Sequence, residues 1–272
     1  MRSWRNQLLN DGRSADAAAK SYRLLRAIMN TAIDDGRIRR NPCRIKGADK
    51  AHTPERPVAT IAQVYTLAEL IGDRFRVFIL AAAFTGLRWG ELLALRRMDV
   101  NLDARTICVA RSVAELSRGR LVVGPPKSAA GVRTVTIPGV LVDELRRHLA
   151  EFVGTEPWAL VFTGSRGASP RRSSWRQMVQ WSTRIQAAGL PEGFHFHDLR
   201  HTGNHLASQG GASTRELMHR MGHASMRAAL IYQHATDERA RQIADRLSEV
   251  VEREKPRNDD SEGEAGAVDA GA

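Results

Sequence analysis

Residues 195–205, HFHDLRHTGNH, hold the densest set of groups able to do chemistry. His197, His201 and His205 fall at i, i+4 and i+8, so a helix would set them on one face. That spacing invites a zinc reading. Arg200 stands among them as a fixed cation, however, and no glutamate fills the general-base position of a His-Glu-x-x-His helix, so no metal is expected. A phosphate site fits better. Arg200 offers a two-pronged donor and His197 a titratable ring within one helical turn. Downstream, residues 221–236, MGHASMRAALIYQHAT, put His223 just after Gly222 near a helix start, with Tyr232 about two turns beyond. Upstream, Arg88 follows Thr85-Gly86-Leu87 at a glycine break, where a helix N-terminus could face an anion. Each feature alone has a blander account. A helical tyrosine usually packs in a core, a Gly-His pair usually caps, and an arginine at a turn usually meets solvent.

The elements that must position these groups read as mainly α with a small antiparallel β-sheet, an α+β chain. Ser14 and Asp16 are candidate caps for a helix whose apolar positions are Tyr22, Leu25, Ile28, Met29, Ala32 and Ile33; Gly36 stops it and Asn41-Pro42 ends the segment. Residues 47–57, GADKAHTPERP, carry no periodicity and read as a linker. An amphipathic helix near 60–71 and an apolar helix over 74–84 follow, then the glycine break and a further helix. Between about 105 and 137 the period changes: TICVA, RLVV and RTVTI are short β-branched runs parted by Gly, Pro and Ser, expected to form one small sheet. Helix returns over 139–153, Leu160–Phe162 is a short extended piece, and GSRGASPRRSS is a basic loop before helices that run from Ser174 to about Glu252. The end, DDSEGEAGAVDAGA, has no core-forming content and is expected to be disordered.

Composition narrows the partner. A formal charge of +11 and a pI near 10.6 are carried mostly by arginine, the side chain shaped to grip phosphate oxygens in pairs. Nucleic acid leads on charge, with an anionic membrane surface second. Arg23, Arg26, Arg37, Arg39, Arg40, Arg44 and Lys46 cluster on or just after the first long helix and are read as a phosphate-contacting surface; Arg171 and Arg172 extend the reading to the basic loop. Cys43 and Cys108 have neither metal-ligand spacing nor a disulfide framework, which suits a reducing cytoplasm. The most apolar run, Val77–Phe84, is too short to span a bilayer, and MRSWRNQLLN lacks the apolar middle of a secretion signal.

TGLRWGEL, HDLRHT, MGHAS and IYQHAT, in this order and spacing, closely resemble the tyrosine recombinases, the phage-integrase class of site-specific recombinases. The resemblance runs from about Ala59 to the end of the helix after Tyr232. It implies a partial helical core-binding (SAM-like) domain at 1–50, a linker at 51–58, a catalytic domain at 59–254 and an acidic tail at 255–272. It makes Arg88 and Arg200 the arginines that hold the scissile phosphate, with Glu91 supporting the first. It makes Lys127 the mobile lysine of a β-hairpin, His197 the first histidine, His223 the second and Tyr232 the nucleophile. It also implies double-stranded DNA with attachment-type sites as partner, a homotetramer docked through the C-terminal helix (Ile243, Leu247 and Val250 form its stripe) and a directionality factor.

The chemistry is coherent. Two guanidiniums stabilise charge growing on the non-bridging oxygens of a phosphodiester in flight. Tyrosine, with a pKa near ~10, needs a base or a positive pocket to attack at neutral pH, and His197 is the candidate base. Lys127 could return a proton to the leaving 5′-hydroxyl. The bond energy is kept in the phosphotyrosine, so neither ATP nor any cofactor is expected. A topoisomerase IB-like enzyme and a non-catalytic DNA-binding remnant are the competing expectations. The latter follows because the start at Met1 resembles the middle of the family's helical domain, so an incomplete DNA clamp and poor cleavage are expected of this chain.

Overall fold

The computed structural model describes residues 1–50, 56–222, 244–245 and 248–249. The chain divides into two compact units, Met1–Arg56 and Pro57–Ala272. His223, Tyr232, most of the C-terminal helix and the tail lie outside the described residues, as does 51–55 of the linker.

In the first unit, α1 (Arg2–Asn10) precedes α2 (Ala15–Asp34). Ser14 alone caps α2, its hydroxyl accepting from the Ala17 amide at 3.2 Å. Asp16 pairs instead with Lys20 one turn on. After α2 the chain folds back, held by Asn41, whose amide donates to the Arg26 carbonyl (2.9 Å) and to Asn30 Oδ1 (2.6 Å). Tyr22, Cys43 and Ala48 form the core, flanked by Trp4, Leu25, Met29 and Ile45. The Tyr22 hydroxyl accepts from the Ile45 amide at 2.8 Å, so its burial leaves no polar group stranded. The expected apolar stripe is narrower than its spacing suggested. Ile28 is 53% exposed, because only a short helix and a return segment pack on α2.

In the second unit, Thr60 and Gln63 form a capping box that starts α3 (Ile61–Ile71). The apolar helix is α4 (Asp73–Thr85), buried nearly all round; it ends in a left-handed turn at Gly86 (φ 68°). Then come the short α5 (Trp89–Leu93), α6 (Gly139–Phe152), α7 (Arg172–Met178), α8 (Trp181–Ala187), α9 (Phe196–Gln209) and α10 (Thr214–Met221). Helix α9 lies hard against α4, and Gly203 makes that approach possible: a Cβ there would sit 2.1 Å from the Ala83 carbonyl oxygen. Phe78 joins the helices into one aromatic core, with ring centroids 5.1 Å from Trp89, 5.7 Å from Trp175 and 4.9 Å from Phe196. Each such pair contributes about 0.5–1.5 kcal/mol beyond its buried area. Among the described residues no helix is long and apolar enough to cross a membrane.

The mainly helical class with small antiparallel sheets is as the sequence indicates, but the strand pairing is not. The strands β1 (Val100–Asn101), β2 (Thr106–Val109), β3 (Ser112–Glu115), β4 (Leu121–Gly124) and β5 (Arg133–Thr136) make two sheets rather than one. One has the order β1-β2-β5, with Ile107 opposite Val135; the other is the β3-β4 pair, with Val113 opposite Val123. The run RLVV therefore does not join the other two. Its partner is Ser112–Glu115, which holds a single β-branched residue, Val113, and pairs with it across a short turn. Leu160 contributes a single antiparallel bridge to Arg96.

Candidate active site

The left-handed turn at Gly86 delivers Arg88 to the start of α5, where Glu91 closes the first turn. Glu91 Oε2 accepts from the Arg88 amide (2.9 Å) and Oε1 from its guanidinium (2.7 Å). The second Arg88 Nη donates to the Gly222 carbonyl at 3.2 Å. Arg88 is thus held by its own backbone turn, yet its side chain remains 37% exposed.

Glu91 also meets Arg133, whose guanidinium donates to Oε1 at 3.2 Å and to Oε2 at 3.0 Å. Both side chains of this pair are 1% exposed. Burial alone would raise the Glu91 pKa; the bond and charge of Arg133, with the Arg88 amide and charge, outweigh it and hold the carboxyl below its ordinary value. Removing one partner of a buried pair of this kind costs about 3–5 kcal/mol, since the other charge is left stranded.

Arg200 projects from α9 beneath this pair. It is buried, and its two Nη groups donate to the carbonyls of Gly86 and Met221. It therefore ties the turn before Arg88 to the last residue of α10. His197, one turn earlier on α9, stands exposed at the wall of a cleft of about 370 Å³ lined also by Arg88, Trp89, Arg172, Arg176 and His195. Partial desolvation of the ring, then the charges of His201 and Arg200, push its pKa down to about 4, against an opposing pull from Asp198. The ring is neutral at neutral pH. His197 and His201 do share a face, with ring centroids 5.0 Å apart. No group of three or more His, Cys, Asp or Glu able to hold a metal is gathered among the described residues.

The structure thus brings Arg88, Glu91, His197 and Arg200 together. Lys127 is exposed in the connection between β4 and β5, strands of different sheets, so it sits on a crossover rather than on a hairpin turn. That connection is braced by the buried Pro126, against which Gly131 packs so closely that a Cβ would come within 2.4 Å. Arg172 lies over the Trp89 ring at 5.5 Å, on the cleft wall. Arg171 is exposed beside Gly119. Arg23, Arg26, Arg37, Arg39, Arg40, Arg44 and Lys46 are all exposed in the first unit; Arg26 reaches Asp49 at 3.5 Å.

Sequence reasoning passed over Arg133, Arg176 and Arg220. Arg133 had a readable signal: in the alternating strand RTVT it shares the buried face with Val135. An arginine in an inward register demands a buried acid. Arg220 donates to the Phe84 carbonyl at 2.5 Å and to Thr136 at 3.3 Å, joining α10 to α4 and β5. A larger groove of about 800 Å³, along β5 and α10, contains none of the residues singled out from the sequence.

Residues 60–239 match the model of the phage integrase family, and the chain belongs to that family. It is 39% identical over 239 residues to a putative prophage phiRv2 integrase of Mycobacterium tuberculosis, covering 87% of this chain and 63% of that protein. It is 36% identical over 242 residues to the integrase of Mycobacterium phage D29, again covering 63% of the relative. The chain therefore spans somewhat less than two thirds of the length of these relatives. A Tn1549 transposon integrase in complex with transposon right end DNA superposes with a TM-score of 0.77 at 23% identity, over 90% of this chain and 84% of that one, which establishes the fold.

Proposed function

We propose that this chain is a site-specific DNA recombinase that cleaves and rejoins DNA through a covalent 3′-phosphotyrosyl intermediate at Tyr232, integrating or excising a phage or mobile element. The observation that carries the reading is that Arg88 and a neutral His197 line one cleft, with the buried Arg200 close enough to both His197 and the turn before Arg88 to act on them, in a member of the phage integrase family. Arg88 and Arg200 supply fixed positive charge for the non-bridging oxygens of the scissile phosphate. Tyr232 forms the new O–P bond as the bond to the 5′ oxygen breaks, and His197 takes the phenolic proton. The incoming phosphodiester is negative, so it raises the His197 pKa from about 4 towards the range where proton transfer is efficient. Lys127 returns a proton to the leaving 5′ oxygen, and His223, the residue after Gly222, braces the phosphate. Rejoining is the same displacement run backwards by another strand's 5′-hydroxyl, so no nucleotide cofactor is consumed.

Duplex DNA is the partner. Arg23, Arg26, Arg37, Arg39, Arg40 and Lys46 contact its phosphates from the first unit, and Arg171 and Arg172 from beside the cleft. The proteins it resembles are integrases of phages, prophages and a transposon, and those compared structurally include complexes with transposon end DNA and with a core site. These relatives support strand exchange over relaxation alone and over a binding remnant. Tetramer assembly through the C-terminal helix, a directionality factor and a cytoplasmic location belong to the same reading.

The test uses nicked half-site duplexes drawn from the repeats that flank the coding element. The 272-residue chain should form a covalent adduct, visible on a denaturing gel without metal or ATP, and Tyr232→Phe should form none. No adduct on any half-site, or an undiminished adduct with Tyr232→Phe, would overturn the proposal.

A further inference from the structure

We infer that Arg133 is a positioning residue for the strand-cleavage step: through Glu91 it fixes Arg88, and it ties to that pair the connection bearing Lys127 and the end of α10 that leads to His223. The inference rests on the recombinase reading above.

The geometry is specific. Each oxygen of Glu91 is shared between the two arginines: Oε1 takes an Nη of Arg88 (2.7 Å) and of Arg133 (3.2 Å), while Oε2 takes the Arg88 amide (2.9 Å) and the other Nη of Arg133 (3.0 Å). A carboxylate gripped by a rigid fork on one side cannot rotate away from the other. The remaining donors of Arg133 go elsewhere. Nε donates to the Arg220 carbonyl at 2.8 Å and Nη1 also to the Gly131 carbonyl at 3.0 Å. Gly131 closes the Lys127 connection, and Arg220 stands three residues before His223. Gly222 passes over the same spot. A Cβ there would lie 2.8 Å from the Ala130 oxygen and 3.0 Å from Arg133 Nη1, so the two segments touch where Arg133 joins them.

One buried guanidinium therefore sets the spacing of three segments that carry proposed site residues. An ammonium in its place would neutralise Glu91 but could not hold both oxygens and two carbonyls at fixed angles. Misplacement of a reacting group by about 1 Å can cost about 100-fold in rate.

The experiment compares wild type, Arg133→Lys and the neutral pair Glu91→Gln/Arg133→Met, the last keeping the buried site free of a stranded charge if Arg133→Met alone does not fold. Thermal unfolding, half-site affinity by mobility shift and single-turnover adduct formation are measured on the full chain. Arg133→Lys should keep affinity within about threefold while adduct formation slows about 10–100-fold. Its pH–rate profile should also move, the acidic limb rising to higher pH because the lysine holds Glu91 in its charged form less well. The neutral pair should be as slow as Arg133→Lys or slower. If both folded variants cleave at the wild-type rate, or Arg133→Lys is slowed equally at every pH and in proportion to its weaker affinity, the inference is overturned. If wild type itself forms no adduct, the recombinase reading has failed instead, and the two failures are distinguishable.

Discussion

The two units place their arginines in opposite ways. In Pro57–Ala272, the cations that matter to the site are pinned: Arg133 and Arg200 are buried, and Arg88, Arg133, Arg200 and Arg220 all donate to backbone carbonyls as well as, in two cases, to Glu91. In Met1–Arg56, Arg23, Arg26, Arg37, Arg39, Arg40 and Arg44 stand in solvent around a small core built on Tyr22, Cys43 and Ala48, and Arg26 and Arg37 reach Asp49 and Asp35 only at 3.5 Å and 3.9 Å. Under the proposed function, the contrast lets one type of side chain serve two ends. Pre-set guanidiniums in a dry site stabilise a developing charge without reorganising. Exposed ones gain affinity for any phosphate backbone by releasing counterions, and need no fixed geometry.

The harshest way to break the contrast is to replace a pinned cation by one that cannot be pinned. Arg200→Lys keeps the charge but gives up the simultaneous grip on the Gly86 and Met221 carbonyls. Adduct formation should fall about 100–1,000-fold, the usual cost of losing an oxyanion donor. Stability should fall by about 1.5–3 kcal/mol, the worth of one charge-assisted hydrogen bond. Denaturant titration and single-turnover assays check the two effects separately. A rate within threefold of wild type would show that position 200 needs only charge.

The same comparison is sharpened from the other side by Arg39→Ala/Arg40→Ala. Both side chains are exposed, with no partner among the described hydrogen bonds and ion pairs. Half-site affinity should weaken with every DNA sequence alike. The slope of log affinity against log salt should drop by about 0.9 for each phosphate that the variant no longer neutralises. Cleavage at saturating DNA should stay at the wild-type rate. A change in cleavage rate at saturation would place these residues in the chemistry after all.

The contrast also explains what could be read from the sequence. Local signals sufficed where one segment decides the outcome. Ser14 announces a cap and Gly86 a helix end. Helical spacing placed His197, Arg200 and His201 on one short helix. The misses are long-range. Whether RLVV pairs with TICVA or with SVAE depends on which edge is closer after folding, and the strands are too short for their composition to choose. Arg133 is separated from Glu91 by 42 residues and from Arg220 by 87, so its partners are invisible to any local window, even though its inward register was not. The width of the α2 stripe failed for the same reason: Ile28 has helical spacing, but exposure depends on what packs there.

The smallest expected effect separates the units by pH. Residues 1–50 contain no histidine, whereas the second unit holds two whose pKa is pushed down. His197 falls to about 4. His148 is lowered by burial and by the nearby charge of Arg74, although its Nε2–H donates to the Val161 carbonyl at 2.8 Å; its buried Nδ1 meets no partner. An unfolded histidine binds its proton near pH ~6.5, above the folded value, so between those limits the unfolded state holds more protons. The histidine contribution to the stability of the second unit should therefore be complete above pH ~6.5 and decline as pH falls towards 4, with no such contribution from residues 1–50 over that window. Hydrogen exchange corrected for intrinsic rates reads this directly. Amides of α4 and α9 should lose protection between pH 7 and 5, while those of α2 hold theirs. His148→Leu, which removes one of the two rings whose pKa is lowered, should flatten the slope; an unchanged slope would mean that His148 does not report on folding.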